Sequence, residues 1–421
     1  MPRRQPSVSS YGRSADRPAT GQVAAQEGVG SDVLSRREVL KRMGTGMLAA
    51  PLAAGFAKTP AATGSELLAA PPPVAESTSG KIPFSLIIDD GSPVDPLFYE
   101  IPGYETPLLV PHEFTTRVAD TMERFDLHGK MTLIPMPSCL GRIDKSLKRV
   151  PPGHLEGFLK IVRERIAPRF DITPEFITHL NAYNLKTGRF QHIYEDVWIS
   201  GASPEEVVDY FVLAFTILKN VGINSTGLTS PWNSGIDVEK KYARALGEAQ
   251  SKVWGRDLAW YFLWSVEWGQ PRPLSIEYQD ASRHQAVVSV PANAPDIFWS
   301  MEHPTLPERK QFIKEGIDRL VSEDGRRGRI RELIEGGFPV MLLTHWQSLY
   351  TQGTGLGLEG LQTLMERIQK VFGDTFEWVT CSERAKRFVT SLHARLGKSS
   401  LSLRGAPSVG RGRERQGAGR G

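Results

Sequence analysis

From about residue 84 onward the chain repeats one pattern. A short apolar run without polar alternation ends in turn residues, and a stretch with apolar residues at helical spacing follows. The apolar runs fall at 84–89 (FSLIID), 130–135 (KMTLIP), 175–179 (EFITH), 225–232, 253–266, 286–290 (AVVSV), 339–346 (PVMLLTHW) and 377–381. Helical spacing occupies 112–125, 155–166, 204–221, 238–250, 309–320, 329–335, 358–371 and 382–392. Strands that are apolar throughout, each followed by a helix, predict a parallel sheet covered on its other face, hence an α/β protein. Seven or eight such units suit a closed (β/α) barrel, distorted by insertions. A doubly wound open sheet is the other arrangement, but no Gly-rich fingerprint follows the first strand.

The termini differ from this body. Residues 1–80 carry 9 Lys/Arg against 6 Asp/Glu, and residues 393–421 carry 7 against 1. The remaining body holds 35 basic and 40 acidic residues, so the net charge of +4 belongs to the tails. A mildly acidic body argues against nucleic acid as a partner. Two cysteines, Cys139 and Cys381, exclude a disulfide scaffold or a Cys-rich zinc site. At 1–34 the chain is polar, and Arg36-Arg37 then precede the uncharged run 43–57. Paired arginines before a short, moderately apolar stretch resemble a twin-arginine export signal. That predicts export through the twin-arginine machinery to a periplasmic or extracellular location, or retention there by an uncleaved signal. The run is short of the roughly 20 residues a spanning helix needs, and no later segment supplies one, so no stable membrane span is expected. The domain plan is therefore 1–80 as disordered n-region, signal and linker, 81–395 as one domain, and 396–421 as a disordered Gly/Arg/Ser tail.

In a parallel α/β barrel, reactive residues meet where the strands end. Four strand ends here carry polar or aromatic residues: Asp89-Asp90-Gly91, Thr178-His179, Pro231-Trp232-Asn233 and Thr344-His345-Trp346. Adjacent Asp89 and Asp90 point different ways, so one can hold a cation while the other faces substrate. A carboxylate with an imidazole is a usual divalent-metal combination, and such an ion lowers the pKa of a water. The other Asp can accept a proton and a histidine opposite can return one. Trp232 and Trp346 offer flat apolar faces on which sugar rings can stack. Glu195-Asp196 and Glu267 are further acids, read as solvated loop residues.

These residues resemble the polysaccharide deacetylase family. Ile87-Ile88-Asp89-Asp90-Gly91 is similar to its first motif, which implies Asp89 as catalytic base and Asp90 as metal ligand. Leu343-Thr344-His345 resembles its late motif, implying His345 as general acid. Thr229-Ser230-Pro231-Trp232 resembles the motif that lines the substrate groove, with Thr229 where the family has arginine. Thr178-His179 sits where its paired-histidine motif should be, implying His179 as a second ligand. The paired position four residues on is Tyr183, which leaves the carbonyl oxygen of Asn184 as a third ligand and His192 as a more distant candidate. The resemblance implies a barrel, a divalent ion such as zinc, and removal of acetyl groups from an N- or O-acetylated glycan. The expected site is therefore Asp89 and His345 for catalysis, Asp90, His179 and Asn184 for the metal, and Pro231, Trp232 and Trp346 for substrate. The alternatives are a metal-free glycoside hydrolase or lyase on the same barrel, or a non-catalytic carbohydrate-binding barrel.

Overall fold

The computed structural model describes residues 80–95, 109–300 and 303–395. The readings for the export signal, the linker and the C-terminal tail lie outside the described residues.

The centre is parallel. Strands β1 (Ile82–Asp89), β2 (Gly129–Thr132) and β3 (Phe170–Thr173) pair in sequence order. β1 and β2 differ from the runs at 84–89 and 130–135 by a few residues, whereas β3 lies wholly before the run at 175–179. The second set comprises β4 (Gly227–Thr229), β5 (Leu258–Phe262), β6 (Ser275–Asp280) and β7 (Gln285–Ser289). There β4, β5 and β7 are parallel, while β6 pairs antiparallel with β7, an edge that strand periodicity did not show. The long strand β8 (Val340–His345) lies parallel beside β1 and pairs Asp89 with His345 in register. Strand β9 (Phe376–Trp378) pairs with the start of β1. Two single bridges link the sets: Glu175 with Thr229, and Ala294 with Leu342. Thr229 N donates to Pro174 O at 3.0 Å, and Leu343 N to Ala294 O at 3.2 Å.

Helices cover the strands. They are α1 (His112–Arg124), α2 (Pro152–Ile161, extended by a π turn over Val162–Ile166), α3 (Glu195–Gly201), α4 (Pro204–Asn220), α5 (Glu239–Trp254), α6 (Leu306–Leu320), α7 (Arg329–Glu335), α8 (Trp346–Tyr350), α9 (Leu356–Phe372) and α10 (Cys381–Arg395). Helix α4 starts where its sequence dictates. Ser203 caps the Glu206 amide, Glu206 returns a bond to Ser203 N, and Pro204 occupies the first turn. No described helix is long and apolar enough to cross a membrane.

Strand residues alternate between two buried clusters. Phe84, Leu86 and Ile88 join the larger core beneath the helices. Ile87, Trp260, Phe262, Val288, Met341 and Leu343 form a second cluster with Cys381, Ala385 and Val389 of α10. Helix α10 therefore covers the start of the strands. Burial on both faces explains why the strands lack polar alternation. Lys130 and Asp89 belong to the same side as Ile87, which carries ionisable groups into an otherwise apolar interior.

Candidate active site and cation site at the strand ends

β1 delivers Asp89 and Asp90 to its C-terminal end. Gly91 follows because a Cβ there would meet the Thr132 carbonyl; the Gly91 amide instead donates to Thr132 Oγ1 at 3.1 Å. Asp90 takes a left-handed φ of 64°. His179 (φ 66°) and Trp232 (φ 50°) share that conformation after β3 and β4. Such strain costs on the order of 1–3 kcal/mol per residue and collects where a side chain must be aimed.

Asp89 is buried against Lys130, whose ammonium donates to its Oδ1. Lys130 is fully buried, donates also to Thr229 Oγ1 at 2.8 Å, and lies 4.6 Å from the centre of the Phe262 ring. Thr229 in turn shares a hydrogen bond with Thr173 Oγ1 at 2.9 Å. Burial pushes the Asp89 carboxyl upward against the opposing pull of Lys130 and His345. A cation from the neighbouring strand thus faces Asp89, on the side where Thr229 stands and carries no charge. The signal for it was a lysine at the head of an apolar run: a buried charge requires a partner.

The cation candidates gather behind Asp90. Asp90, Glu175 and His179 offer ligand atoms all within 4.8 Å of one another, and all three are buried. His179 Nε2 lies 2.8 Å from Asp90 Oδ1 and 3.3 Å from Glu175 Oε1. Asp90 N donates to Glu175 Oε2 at 3.0 Å. Burial opposes charge on all of them. On Asp90 the neighbouring His179 overcomes it and holds the carboxyl well below its ordinary range. On Glu175 burial wins, reinforced by Asp90, and the carboxyl is pushed up to about 8. On His179 the two carboxylates outweigh burial and raise the imidazole to about 10. A proton on His179 thus neutralises a pocket built around a positive charge, and it is the ring that Asp90 Oδ1 meets, at 2.8 Å. Two buried carboxylates and an imidazole converging on one point fit a divalent cation.

Glu175 was not expected; the third donor read from sequence was Asn184. The structure places Asn184 in a hairpin (Asn181–Asn184 with Arg189–Tyr194), where its Oδ1 accepts from the Lys186 and Thr187 amides at 3.0 Å each. Tyr183 packs edge-on against Phe190 in that hairpin, and His192 is exposed. Residues 175–179 are also not a strand. β3 ends at Thr173, and Pro174 opens a loop that brings Glu175 and His179 to the same point. A Glu-x-x-x-His spacing was the signal present. Glu195, read as a loop acid, shapes that loop: it is fully buried and accepts from the amides of Ile177 (3.0 Å), Thr178 (3.0 Å) and His179 (2.9 Å) and from Tyr210 OH (2.7 Å). Burial raises its carboxyl to about 7.

On the opposite side stands His345. Its Nδ1 lies 2.8 Å from Asp296 Oδ2, which also accepts from His345 N at 3.1 Å and from Ser348 Oγ. A carboxylate accepts only, so Nδ1 carries the proton and Nε2 is left for the mouth. Burial works against charge on His345, but the Asp296 hydrogen bond together with Asp90 and Asp89 raises it to about 9. Glu267 stands within the same field: burial first, and Asp296 second, raise it to about 7.

The aromatic residues divide. Trp232 is half-buried beside the site, its ring 5.0 Å from His179 and 5.8 Å from Tyr194, and Pro231 is buried beneath it. Trp346 differs from the expected groove position. It is 1% exposed and packs on Phe114 (5.1 Å) and Phe158 (6.2 Å), because the chain turns into α8 directly after His345 and sends the indole into the core. Trp299, 5.3 Å from the His345 ring, occupies that side instead.

No family model and no curated relative matches the chain. Among solved structures it is similar to PuuE allantoinase (12% identity, TM-score 0.42, covering 77% of this chain and 94% of that one). It is also similar to a "putative polysaccharide deacetylase from Mycobacterium smegmatis" (12%, TM-score 0.40, 83% and 99%). A third likeness is to a mutant of a CE4 family pseudoenzyme with restored enzymatic activity (9%, TM-score 0.34, 72% and 68%). At such identities the chemistry has to be read from this chain's own residues.

Proposed function

We propose that the chain is a divalent-metal-dependent hydrolase that removes acyl groups, most simply acetyl, from an N- or O-acylated glycan. The carrying observation is that Asp89 and His345, register partners on β1 and β8, stand beside the buried Asp90–Glu175–His179 cluster at a single mouth. In this reading Asp89 is the base, and Lys130 turns one carboxylate oxygen away so that the other faces the attacking water. Asp296 fixes the His345 tautomer and supports the imidazolium, which gives its proton to the departing amine or alcohol. Asp90, Glu175 and His179 would hold the cation, which would supply Lewis-acid polarisation of the acyl oxygen and a more acidic water. Trp232 would stack on a sugar ring. We take the parallel strands to act as a distorted closed barrel, supported by the bridges at Glu175–Thr229 and Ala294–Leu342. Export by a twin-arginine route belongs to the same reading and rests on Arg36-Arg37 and the run at 43–57.

The test is release of acetate from acetylated chito- and xylo-oligosaccharides by the purified chain, before and after chelation. Release that stops with chelation and returns with added metal supports the reading. Cleavage of glycosidic bonds that is indifferent to chelator would replace it with the metal-free glycosidase.

A further inference from the structure

Gln347 lies two residues past His345, in the first turn of α8. It is 3% exposed. Its side chain reaches the Asp90 carboxylate, yet neither its Nε2 nor its Oε1 completes a well-formed hydrogen bond. Asp90 Oδ1 meets only the His179 ring, Nε2 at 2.8 Å, among the described residues. A buried amide with both ends unspent is costly relative to a paired one, and such groups need an explanation. An unspent amide beside a carboxylate oxygen that meets only a protonated imidazole, both buried, supplies it: the positive charge that the ring provides here is one a small cation bound by oxygen can replace.

We propose that Gln347 is a fourth protein donor, through its amide oxygen, to the cation held by Asp90, Glu175 and His179, and that this oxygen-rich set serves a hard divalent ion of the Mn²⁺ class. The inference rests on the cation site of the proposed function. Four donors, three of them oxygen and only one nitrogen, narrow the usual advantage of zinc. Carboxylate and carbonyl ligands suit Mg²⁺, Ca²⁺ and Mn²⁺, whereas imidazole-rich sites suit zinc. A rotation of the amide about its last torsion exchanges nitrogen for oxygen, so the side chain can face Asp90 with its donor when no cation is bound and with its acceptor when one is.

Binding rather than turnover tests it. The full chain, stripped with chelator, is titrated with Mn²⁺ while free Mn²⁺ is followed by electron paramagnetic resonance, and bound Mn²⁺ is then displaced with Zn²⁺. Gln347→Leu should weaken Mn²⁺ by tenfold or more while leaving the melting temperature of the cation-free protein unchanged or higher, since it deletes an unpaired buried amide. Gln347→Glu, which keeps the oxygen and adds charge, should bind Mn²⁺ at least as tightly as wild type and keeps the test open if the leucine variant does not fold. Glu175→His should raise the preference for Zn²⁺ over Mn²⁺ by about tenfold. Wild-type Mn²⁺ affinity in Gln347→Leu would mean that the amide holds only a water, and would overturn the inference while leaving a three-ligand site. An unchanged Zn²⁺/Mn²⁺ preference in Glu175→His would overturn the assignment to a hard ion. A wild-type chain that binds neither ion would overturn this inference and the metal-dependent reading together.

Discussion

The two ends of the central strands both bury charge, and they treat it differently. At the end covered by α10, Asp171 on β3 accepts from Ser382 N (2.7 Å), Ser382 Oγ (2.7 Å) and Thr226 Oγ1 (3.1 Å), and Ser85 Oγ donates to Val379 O (2.7 Å). Asp171 and Ser85 are satisfied there by the protein itself. At the mouth, both amide atoms of Gln347 lack well-formed partners, Asp90 Oδ1 meets only the His179 ring, and Asp90, His179 and Trp232 all have left-handed backbone. Buried polar groups that hold a fold together use up their hydrogen bonds, whereas a site that awaits a ligand leaves some unspent. The difference lets mutations be sorted: changes at the α10 end should cost stability and spare turnover, and changes at the mouth should do the reverse.

Asp89→Asn gives the sharpest separation. Loss of the base should lower turnover by roughly 10²–10⁴-fold while the stripped protein still binds its cation, since Asp89 lies outside the ligand cluster. Full activity in this variant would break the assignment at its centre. Lys130 sits between the two ends and should behave as both. Lys130→Met leaves the Asp89 carboxylate buried without its cation, which typically costs about 3–5 kcal/mol in addition to activity. Combining it with Asp89→Asn removes the orphaned charge, so the double variant should recover much of the lost stability and none of the turnover. Chemical denaturation of the four proteins reads the cycle; simple additivity of the two losses would deny the pair. At the other end, Asp171→Ala leaves Ser382 N and Thr226 Oγ1 unpaired and should cost about 1–3 kcal/mol with kcat unchanged.

The same contrast explains what could be read from the sequence. Asp89, Asp90 and His345 were legible because they end the two clearest apolar runs, which fixes their place at one end of a parallel sheet. The α4 boundary was legible from local chemistry alone, Ser203-Pro204 followed by Glu206. Glu175 was hidden by a shift in register: 175–179 looks like a strand, but the strand is 170–173, and Pro174 breaks the ladder and starts the loop that folds Glu175 back onto His179. Asp296 and Glu195 were illegible as site residues because each acts through a partner distant in sequence, whereas Lys130 left a signal as a lysine at the head of an apolar run. Asp296 is 49 positions from His345. Trp346 shows the limit from the other side: neighbouring residues at a strand end can face opposite ways, and a helix beginning there sent the ring inward.

His345 carries the comparison into pH. Its folded value of about 9 stands above the ordinary 6.5 because Asp296, Asp90 and Asp89 outweigh burial. The protonated ring is therefore favoured in the folded state. Its contribution to stability is complete below about 6.5 and is lost as pH rises through about 9. NMR titration of the histidine resonances in the stripped protein should find two imidazoles still charged near pH 8, those of His179 and His345, and Asp296→Asn should lower the midpoint of the lower-titrating one because the largest favourable partner of His345 is gone. Turnover in that variant should fall by about 10–100-fold, less than for Asp89→Asn, because the ring is misdirected rather than removed. An unmoved midpoint would mean that Asp296 serves only to join Thr344, Ser348 and Phe298, as the Asp171 network does at the far end.

The smallest expected effect belongs to Trp232, and it distinguishes binding from chemistry within the mouth itself. Its ring stands edge-on to His179 at 5.0 Å, so it touches the ligand cluster, yet it remains half-exposed and carries no group that titrates. Stacking of this kind is worth about 0.5–1.5 kcal/mol, so Trp232→Ala should raise KM for an oligosaccharide roughly twofold to tenfold with kcat nearly intact. Trp232→Phe should restore most of the loss. A small acetyl ester that lacks a sugar ring should not notice either change, because nothing is left for the ring to stack on. If the small ester suffers as much as the oligosaccharide, Trp232 acts by holding His179 in its left-handed conformation rather than by stacking on a sugar.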